Sequence, residues 1–404
     1  MSEDNKKVPV LRFRGFKDDW EQRKLGEVGS VVMNRRIFKE QTSDSGDVPF
    51  YKIGTFGGSP DSFISRELFE EYKNKYPYPK VGDILISASG SIGRTVVYQG
   101  KDEYFQDSNI VWLEHDEQVD NSFLEQFYSV VKWKGLEGST IKRLYNKNIL
   151  DTDISLPAID EQQKIGVFFK HLDNTITLHQ RKLDLLKQMK KGFLQRMFPK
   201  SDEKVPELRF DDFISEWKQR KLGTLANFSK GNGYKKNDLI ERGSPIILYG
   251  RLYTKYETII NRVDTFVEKK DKSVVSEGNE VIVPASGEKS EDISRAAVVG
   301  KSGIILGGDL NIIKPNKKID STFLALTISN GTQQKEMSKR AQGKSVVHLH
   351  NSDLKQVNLL YPQKEEQQKI GSFFKQLDDI IILRQEKLDK LVTLKKSYLQ
   401  KLFI

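Results

Sequence analysis

The chain carries one frame twice, and any fold proposed for it must accommodate that duplication. VPVLRFRGFKDDWEQRKLG at 8–26 returns as VPELRFDDFISEWKQRKLG at 205–223. PAIDEQQKIGVFFKHLD at 157–173 returns as PQKEEQQKIGSFFKQLD at 362–378. The offsets are 197 and 205 residues. Between the shared blocks the halves diverge, so the unit is a shared opening, a dissimilar insert and a shared helix, used twice. A period this long is no solenoid; it marks a pseudo-dimer in one chain, an internal pseudo-two-fold repeat. Two unlike inserts on one frame suit a protein that presents two different surfaces.

The shared helices come first, because their periodicity is the strongest local signal. Steps of four and three from Ile165 give Phe169, Leu172, Ile176, His179, Leu183, Leu186, Lys190, Phe193 and Met197. The same steps from Ile370 give Phe374, Leu377, Ile381, Arg384, Leu388, Leu391, Lys395, Tyr398 and Leu402. A heptad stripe held for more than four heptads predicts coiled-coil helices with these residues in the seam. The polar exceptions match between copies, His179 with Arg384 and Lys190 with Lys395. A polar seam residue can fix register, or its stem can snorkel past a widened seam, and both readings stay open. Each helix should run for roughly forty residues and about 60 Å. Pro157 and Pro362 stand before the first turns, and Asp160–Glu161 and Glu365–Glu366 place acid where the helix dipole favours it. Two equal amphipathic helices most simply pack on each other, antiparallel, each following a folded insert.

The inserts read as mixed α/β (α+β). VGDILIS at 81–87, RTVVYQG at 94–100 and SNIVWLE at 108–114 look like short strands between glycine-rich turns. The helical stretch 65–76 puts Leu68, Phe69, Tyr72 and Tyr76 on one face. The second insert repeats the order at 279–287, 294–300 and 309–315, and the late segments 138–149 and 343–354 also correspond. The expected division is an arm at 1–20, a first insert at 21–156, a helix at 157–198, a linker and second arm at 199–217, a second insert at 218–361 and a second helix at 362–404.

Composition narrows the function classes. There is no cysteine, so disulfides, thiolate metal sites and cysteine nucleophiles are excluded, and an intracellular protein is expected. The start MSEDNKKVP lacks an apolar signal core, and no run of eighteen apolar residues exists, so neither secretion nor a membrane span is expected. The net charge is +10, with surpluses of four at 160–198 and three at 363–402. A basic excess favours a polyanionic partner, and a solvated lysine-rich helix face explains it equally well.

Motifs for chemistry fail on inspection. Gly343-Lys344-Ser345 resembles the end of a phosphate loop, but Ser338, Lys339 and Arg340 stand where its first glycine must be. Asp61 followed by Glu71-Tyr72-Lys73 imitates a nuclease pattern, yet Glu71 and Lys73 fall about 200° apart around a helix and cannot face one metal. His348 and His350 would share a strand face, with no acidic or cysteine partner near in sequence. There is no Pro-Pro pair with a following aromatic and no glycine-rich dinucleotide fingerprint. The chain is expected to have no chemistry, metal or cofactor of its own.

Binding signals fare better. Asn34, Arg35 and Arg36, then Lys142, Arg143 and Tyr145, then Lys230, Tyr234 and Lys235, and finally Lys289 and Arg295 place basic, amide and aromatic groups in expected loops. Lys344, His348 and His350 join them. The turn SASGSIGR at 87–94 offers free amides and hydroxyls between strands, with Ser89, Ser91 and Arg94 as its candidates. Such groups position phosphates and read base edges. Each alone is an ordinary solvated loop; their coincidence in two divergent inserts makes a set of DNA-contact candidates.

These residues carry a resemblance to a known family. The openings Trp20…Gln22-Arg-Lys-Leu-Gly26 and Trp217…Gln219-Arg-Lys-Leu-Gly223, the run GDILISASGSIGR at 82–94 and the EQQKI…FF…LD helix starts resemble the specificity subunits of bacterial type I restriction–modification systems. The resemblance spans essentially the whole chain. It implies two target recognition domains held apart by two long antiparallel coiled-coil helices, each domain reading one half of a split double-stranded DNA target. It further implies two methyltransferase subunits that bind S-adenosylmethionine, restriction/translocase subunits that use ATP and Mg, a non-catalytic role for this chain and a bacterial cytoplasmic setting. PASGEKSEDISRA at 284–296 departs from the compact SGSIGR turn, which leaves contacts in the second domain less defined. Two rivals from other classes are a two-headed protein scaffold and a standalone nuclease or methyltransferase.

Overall fold

The computed structural model describes residues 8–135, 142–200, 203–341 and 346–403. The chain divides into two compact units. The first is the chain up to Gln180 together with the stretch from Lys387 onward; the second is Arg181–Glu386. The long helices are Ile159–Arg196 and Lys364–Leu402, so each unit holds part of both.

In the first unit, Gly29–Val32, Ile110–His115, Ile84–Ser87 and Thr95–Val97 form an antiparallel sheet in that spatial order. All four residues of Ile84–Ser87 are buried, as expected of a central strand covered on both faces. A smaller sheet sets Val48–Tyr51 between Phe63–Ile64 and Tyr104–Phe105. The helix Arg66–Lys75 starts where Ser65 Oγ accepts the Leu68 N–H at 3.2 Å, and it drives Phe69 fully into the core. The helix Asn121–Val130 is capped by Asp120 and buries Phe123, Leu124 and Phe127. Glu21–Lys24 pairs antiparallel with Asp153–Leu156, Glu21 opposite Leu156, and so brings the ends of the insert together.

The second unit repeats this plan with its own residues. Ala226–Lys230, Leu310–Pro315, Val281–Pro284, Ala297–Val299 and Ile259–Ile260 form the main sheet. Asp320 caps Ser321–Ser329 as Asp120 caps its counterpart. Lys218–Lys221 pairs with Asn358–Tyr361, Lys218 opposite Tyr361.

The heptad stripe is the helix seam. Ile165, Phe169, Leu183, Ile370, Phe374, Leu377 and Leu388 are buried, and Leu172, Ile176, Leu186, Ile381 and Leu391 are half-buried. In the first unit Phe168 meets Tyr398 edge-on at 5.1 Å, and Lys395 Nζ reaches Asp173 Oδ1 at 2.6 Å. In the second unit Phe193 meets Phe373 at 5.1 Å, and Lys190 Nζ reaches Asp378 Oδ1 at 2.5 Å. Positions rise on one helix as they fall on the other, so in each unit the helix segments run antiparallel. Each of these seam lysines ends on a carboxylate of the opposite helix, one turn from the apolar contacts.

The shared EQQKIG block has a residue-by-residue role at the helix starts. Glu161 is fully buried and takes a two-pronged pair from Arg12 of the arm, Nε and Nη2 both at 2.7 Å. Gln162 Nε2 donates to Pro157 O at 2.9 Å and Gln118 O at 3.0 Å, while its Oε1 accepts the Asp120 N–H at 2.9 Å. A Cβ at Gly166 would stand 2.9 Å from the backbone carbon of Ser122, so glycine there lets the helix touch the domain. The second copy repeats the glutamate and glutamine contacts. Arg209 pairs with buried Glu366 at 2.7 Å twice, and Gln367 joins Lys318 O, Pro362 O and the Asp320 N–H at 3.0, 2.9 and 2.8 Å. Among the described residues no helix is long and apolar enough to cross a membrane.

Candidate DNA interface

The site is built at the end of the main sheet in each unit. In the first, Ile84–Ser87 leads into a turn that folds on itself. Gly93 N–H and Ser87 N–H bond across it to Ser87 O and Arg94 O at 2.9 Å, and Ser87 Oγ donates to Ser91 O at 2.5 Å. Gly90 and Gly93 take positive φ, and a Cβ at Gly93 would meet the Trp133 indole nitrogen at 2.6 Å. The turn thus spends most of the amides and hydroxyls expected to be free. It presents the exposed Ser91 and Arg94 instead.

The late segment lands on this turn. Ser89 and Arg143 form an antiparallel bridge, and Leu144 N–H donates to Ala88 O at 2.8 Å. Ser89 Oγ donates to Asn109 Oδ1 at 2.8 Å, and Arg143 Nη2 reaches Ser108 Oγ at 3.0 Å and Asn109 Oδ1 at 3.2 Å. Ser108 sits at φ 51°, left-handed backbone that a non-glycine residue seldom takes and that clusters at functional sites. Arg36 Nε pairs with the adjoining Asp107 at 2.9 Å. One patch therefore gathers Arg36, Ser89 and Arg143, with Lys142 and Tyr145 exposed beside Arg143 in the chain. Arg35 is exposed and lies over the Tyr76 ring at 5.3 Å.

The second unit makes the same junction. Ser286–Gly287 pairs with Val347–His348, Ser286 opposite His348, and Leu349 N–H donates to Ala285 O at 3.0 Å. His348 therefore occupies the position of Arg143. It and His350 are exposed, with rings parallel within 5° and 6.3 Å apart. Among the described residues no group of three His, Cys, Asp or Glu side chains could hold a metal. Lys230 ends its strand opposite Asn311, at the same end of the sheet. Lys235 and Lys289 are exposed, and the Arg295 guanidinium lies 5.9 Å over the Tyr253 ring. Arg94 and Arg295 precede the strands that pair with Ile84–Ser87 and Val281–Pro284, Arg94 by one residue and Arg295 by two. A helical turn, Ser290–Ile293, replaces the compact turn of the first unit.

Three expectations need correction. Asn34 is buried, its Nδ2 donating to Pro77 O at 3.2 Å, so it supports the loop under Arg35 and does not face outward. Tyr234 is buried, its hydroxyl against Ser273 Oγ at 2.5 Å and the Lys270 N–H at 2.7 Å. Ser89 is buried, with its hydroxyl committed to Asn109. Lys344 lies outside the described residues. The nuclease imitation dissolves as well: Lys73 Nζ sits over the Phe69 and Tyr78 rings, and Asp61 pairs with Lys52 at 2.9 Å.

Sequence reasoning missed Ser108, Asn109 and Tyr253, whose positions become visible only through the strand register. It also missed Arg12, Arg209, Gln162 and Gln367, although their recurrence in both copies was a usable signal.

Comparison with known proteins places these features. The chain is 58% identical over 157 residues to a Haemophilus influenzae protein described as a type I restriction enzyme specificity subunit, a match that spans 38% of this chain and 41% of that protein. It is 21% identical over 398 residues to the type I restriction enzyme MjaVIII specificity subunit of Methanocaldococcus jannaschii, covering 94% of this chain and 91% of that one. The crystal structure of a type I restriction–modification system S subunit from M. genitalium shares the fold, with a TM-score of 0.64 at 16% identity over 98% of this chain and 99% of that chain. The type I restriction modification DNA specificity domain profile matches residues 17–188 and again 214–393. The chain belongs to the type I restriction–modification DNA specificity family and carries that domain twice.

Proposed function

We propose that each unit reads one half of a split DNA sequence at the end of its main sheet, with recognition domains at 21–156 and 218–361. The observation that carries this is the repeated junction: Ser89 opposite Arg143 in one unit, Ser286 opposite His348 in the other. Both copies use one backbone scheme to present different side chains, as two readers of different half-sites require. In the first unit Arg94, Lys142, Arg143 and Tyr145 are offered to the duplex, with Arg35, Arg36 and Ser91 flanking. In the second the set is Lys230, Lys235, Lys289, Arg295, His348 and His350. Arginines suit guanine edges and phosphates, and imidazoles and hydroxyls suit either groove wall.

The chain brings no chemistry. It directs two methyltransferase subunits that bind S-adenosylmethionine, and restriction/translocase subunits that use ATP and Mg, to the target. The test is methylome sequencing of a strain expressing this chain with its methyltransferase partner, against a strain lacking only this chain. A split adenine-methylated motif that disappears with the chain is the expected result. An unchanged set of methylated motifs would overturn the proposal.

A further inference from the structure

We infer that Gln162 and Gln367 are positioning residues that set the permitted gap between the two half-sites, an inference that rests on the function proposed above. Each glutamine is buried in the first turn of a long helix. Each joins that turn to the domain loop ahead of the next helix by the same three bonds. Gln162 holds Gln118 O and the Asp120 N–H while anchored on Pro157 O. Gln367 holds Lys318 O and the Asp320 N–H while anchored on Pro362 O. A primary amide uses its acceptor and both donors here, so the seat is fully satisfied and admits one orientation. The domain loop it grips is also the cap of the helix that Gly166 or Gly371 touches, so the grip acts on a rigid body and not on a free loop.

The magnitude of the motion at stake favours this assignment. Lengthening a DNA gap by one base pair moves a half-site by about 3.4 Å and turns it by roughly 35°. A domain tied to its helix by one loosely held strand pair could swing to follow. A domain seated through three directed bonds and a glycine contact cannot swing without breaking them. The identity of the half-site bases lies in other residues, at the sheet end, so gap and bases are separable properties of the chain.

The experiment uses the full chain with its methyltransferase subunits in cells and reads the methylome. The variants are Gln162→Met and Gln367→Met, singly and together, which keep the side-chain volume and remove all three bonds. Gly166→Ala is a second route, displacing the seat without touching the glutamine. The expected result is that both half-site sequences stay unchanged while motifs with a gap one base pair longer or shorter gain methylation absent from wild type. Methylation that falls evenly with the single gap retained would overturn the inference, because a merely structural role predicts that outcome. Loss of all methylation in every variant would overturn it equally. If the wild-type chain itself directs no split motif, the failure belongs to the proposed function.

Discussion

Replacing Arg12 by Met should open the start of the first long helix far more than the loss of one surface charge would. The Glu161 side chain is fully buried and Arg12 is 15% exposed, so the change strands a carboxylate with no counter-ion. Removing one partner of a buried pair costs about 3–5 kcal/mol, and the residual exposure of Arg12 puts this case at the lower end, about 3 kcal/mol. Replacing both partners, Arg12→Met with Glu161→Met, should cost much less, since no uncompensated charge remains. A single unfolding free energy is ill-defined for a chain of two units, so the assay is native-state hydrogen exchange on peptides covering 8–20 and 157–169. About 3 kcal/mol corresponds to roughly hundred-fold faster exchange where opening is local. The double variant should recover most of that. Exchange within a few-fold of wild type for Arg12→Met, or a double variant no better than the single one, would refute the reasoning.

Two further perturbations follow from the same contacts. Gly166→Ala should loosen the first domain on its helix, seen as faster proteolysis near Ser122, because the new methyl would press on Ser122 backbone. Gly371→Ala should leave the second domain unchanged or slightly stabilised, since its Cβ would find Thr322 at 3.2 Å and alanine gains up to about 1 kcal/mol of helix propensity. Glu125→Gln should raise the melting temperature of the first unit's own transition at pH 7. Burial first, and then the Asp173 charge, hold the Glu125 carboxyl above its ordinary range, with Lys395 and Lys170 opposing. A raised acid contributes stability that is present below its unfolded pKa and lost as pH rises through the folded value, so the gain from Gln should shrink as pH falls from neutral toward the unfolded value of about 4.3 and be absent below it. A lowered melting temperature at pH 7 would contradict this.

The long-range plan of this protein was legible in its sequence because periodicity and duplication are direct records of packing. The residues from Ile165 to Leu391 that recur in heptads line the seam, and the strands at 84–87 and 110–115 fall on the stretches read at 81–87 and 108–114, the second running one residue past its stretch. Side-chain direction in the loops was not legible. Asn34 sits beside two exposed arginines, yet tertiary contact with Pro77 turns it inward. Tyr234 stands in a basic, glycine-rich run that reads as a DNA loop, but its φ of 57° and its bonds to Ser273 and Lys270 bury the ring. The pairing of Ser89 with Arg143 joins segments far apart in sequence, and no local pattern encodes it. What the loops lacked in pattern the repeat supplied: Arg12 with Arg209, and Gln162 with Gln367, were marked by surviving twice.

The core of the first unit contains Leu402 and Phe403, the latter stacked on Phe123 at 5.1 Å and edge-on to Trp20 at 6.4 Å. In the second unit Phe198 fills the matching place against Trp217 and Phe323, and it is made before the domain it completes. Synthesis therefore meets the two halves in opposite order. The later domain finds its aromatic plug already waiting, whereas the earlier one must stand on the ribosome with an open apolar socket until more than two hundred further residues have been added. At elongation rates of roughly 5–20 residues per second, that is a wait of about ten seconds or more. A chain ending at Glu386 would hold every residue of its second core and lack Leu402 and Phe403 of its first.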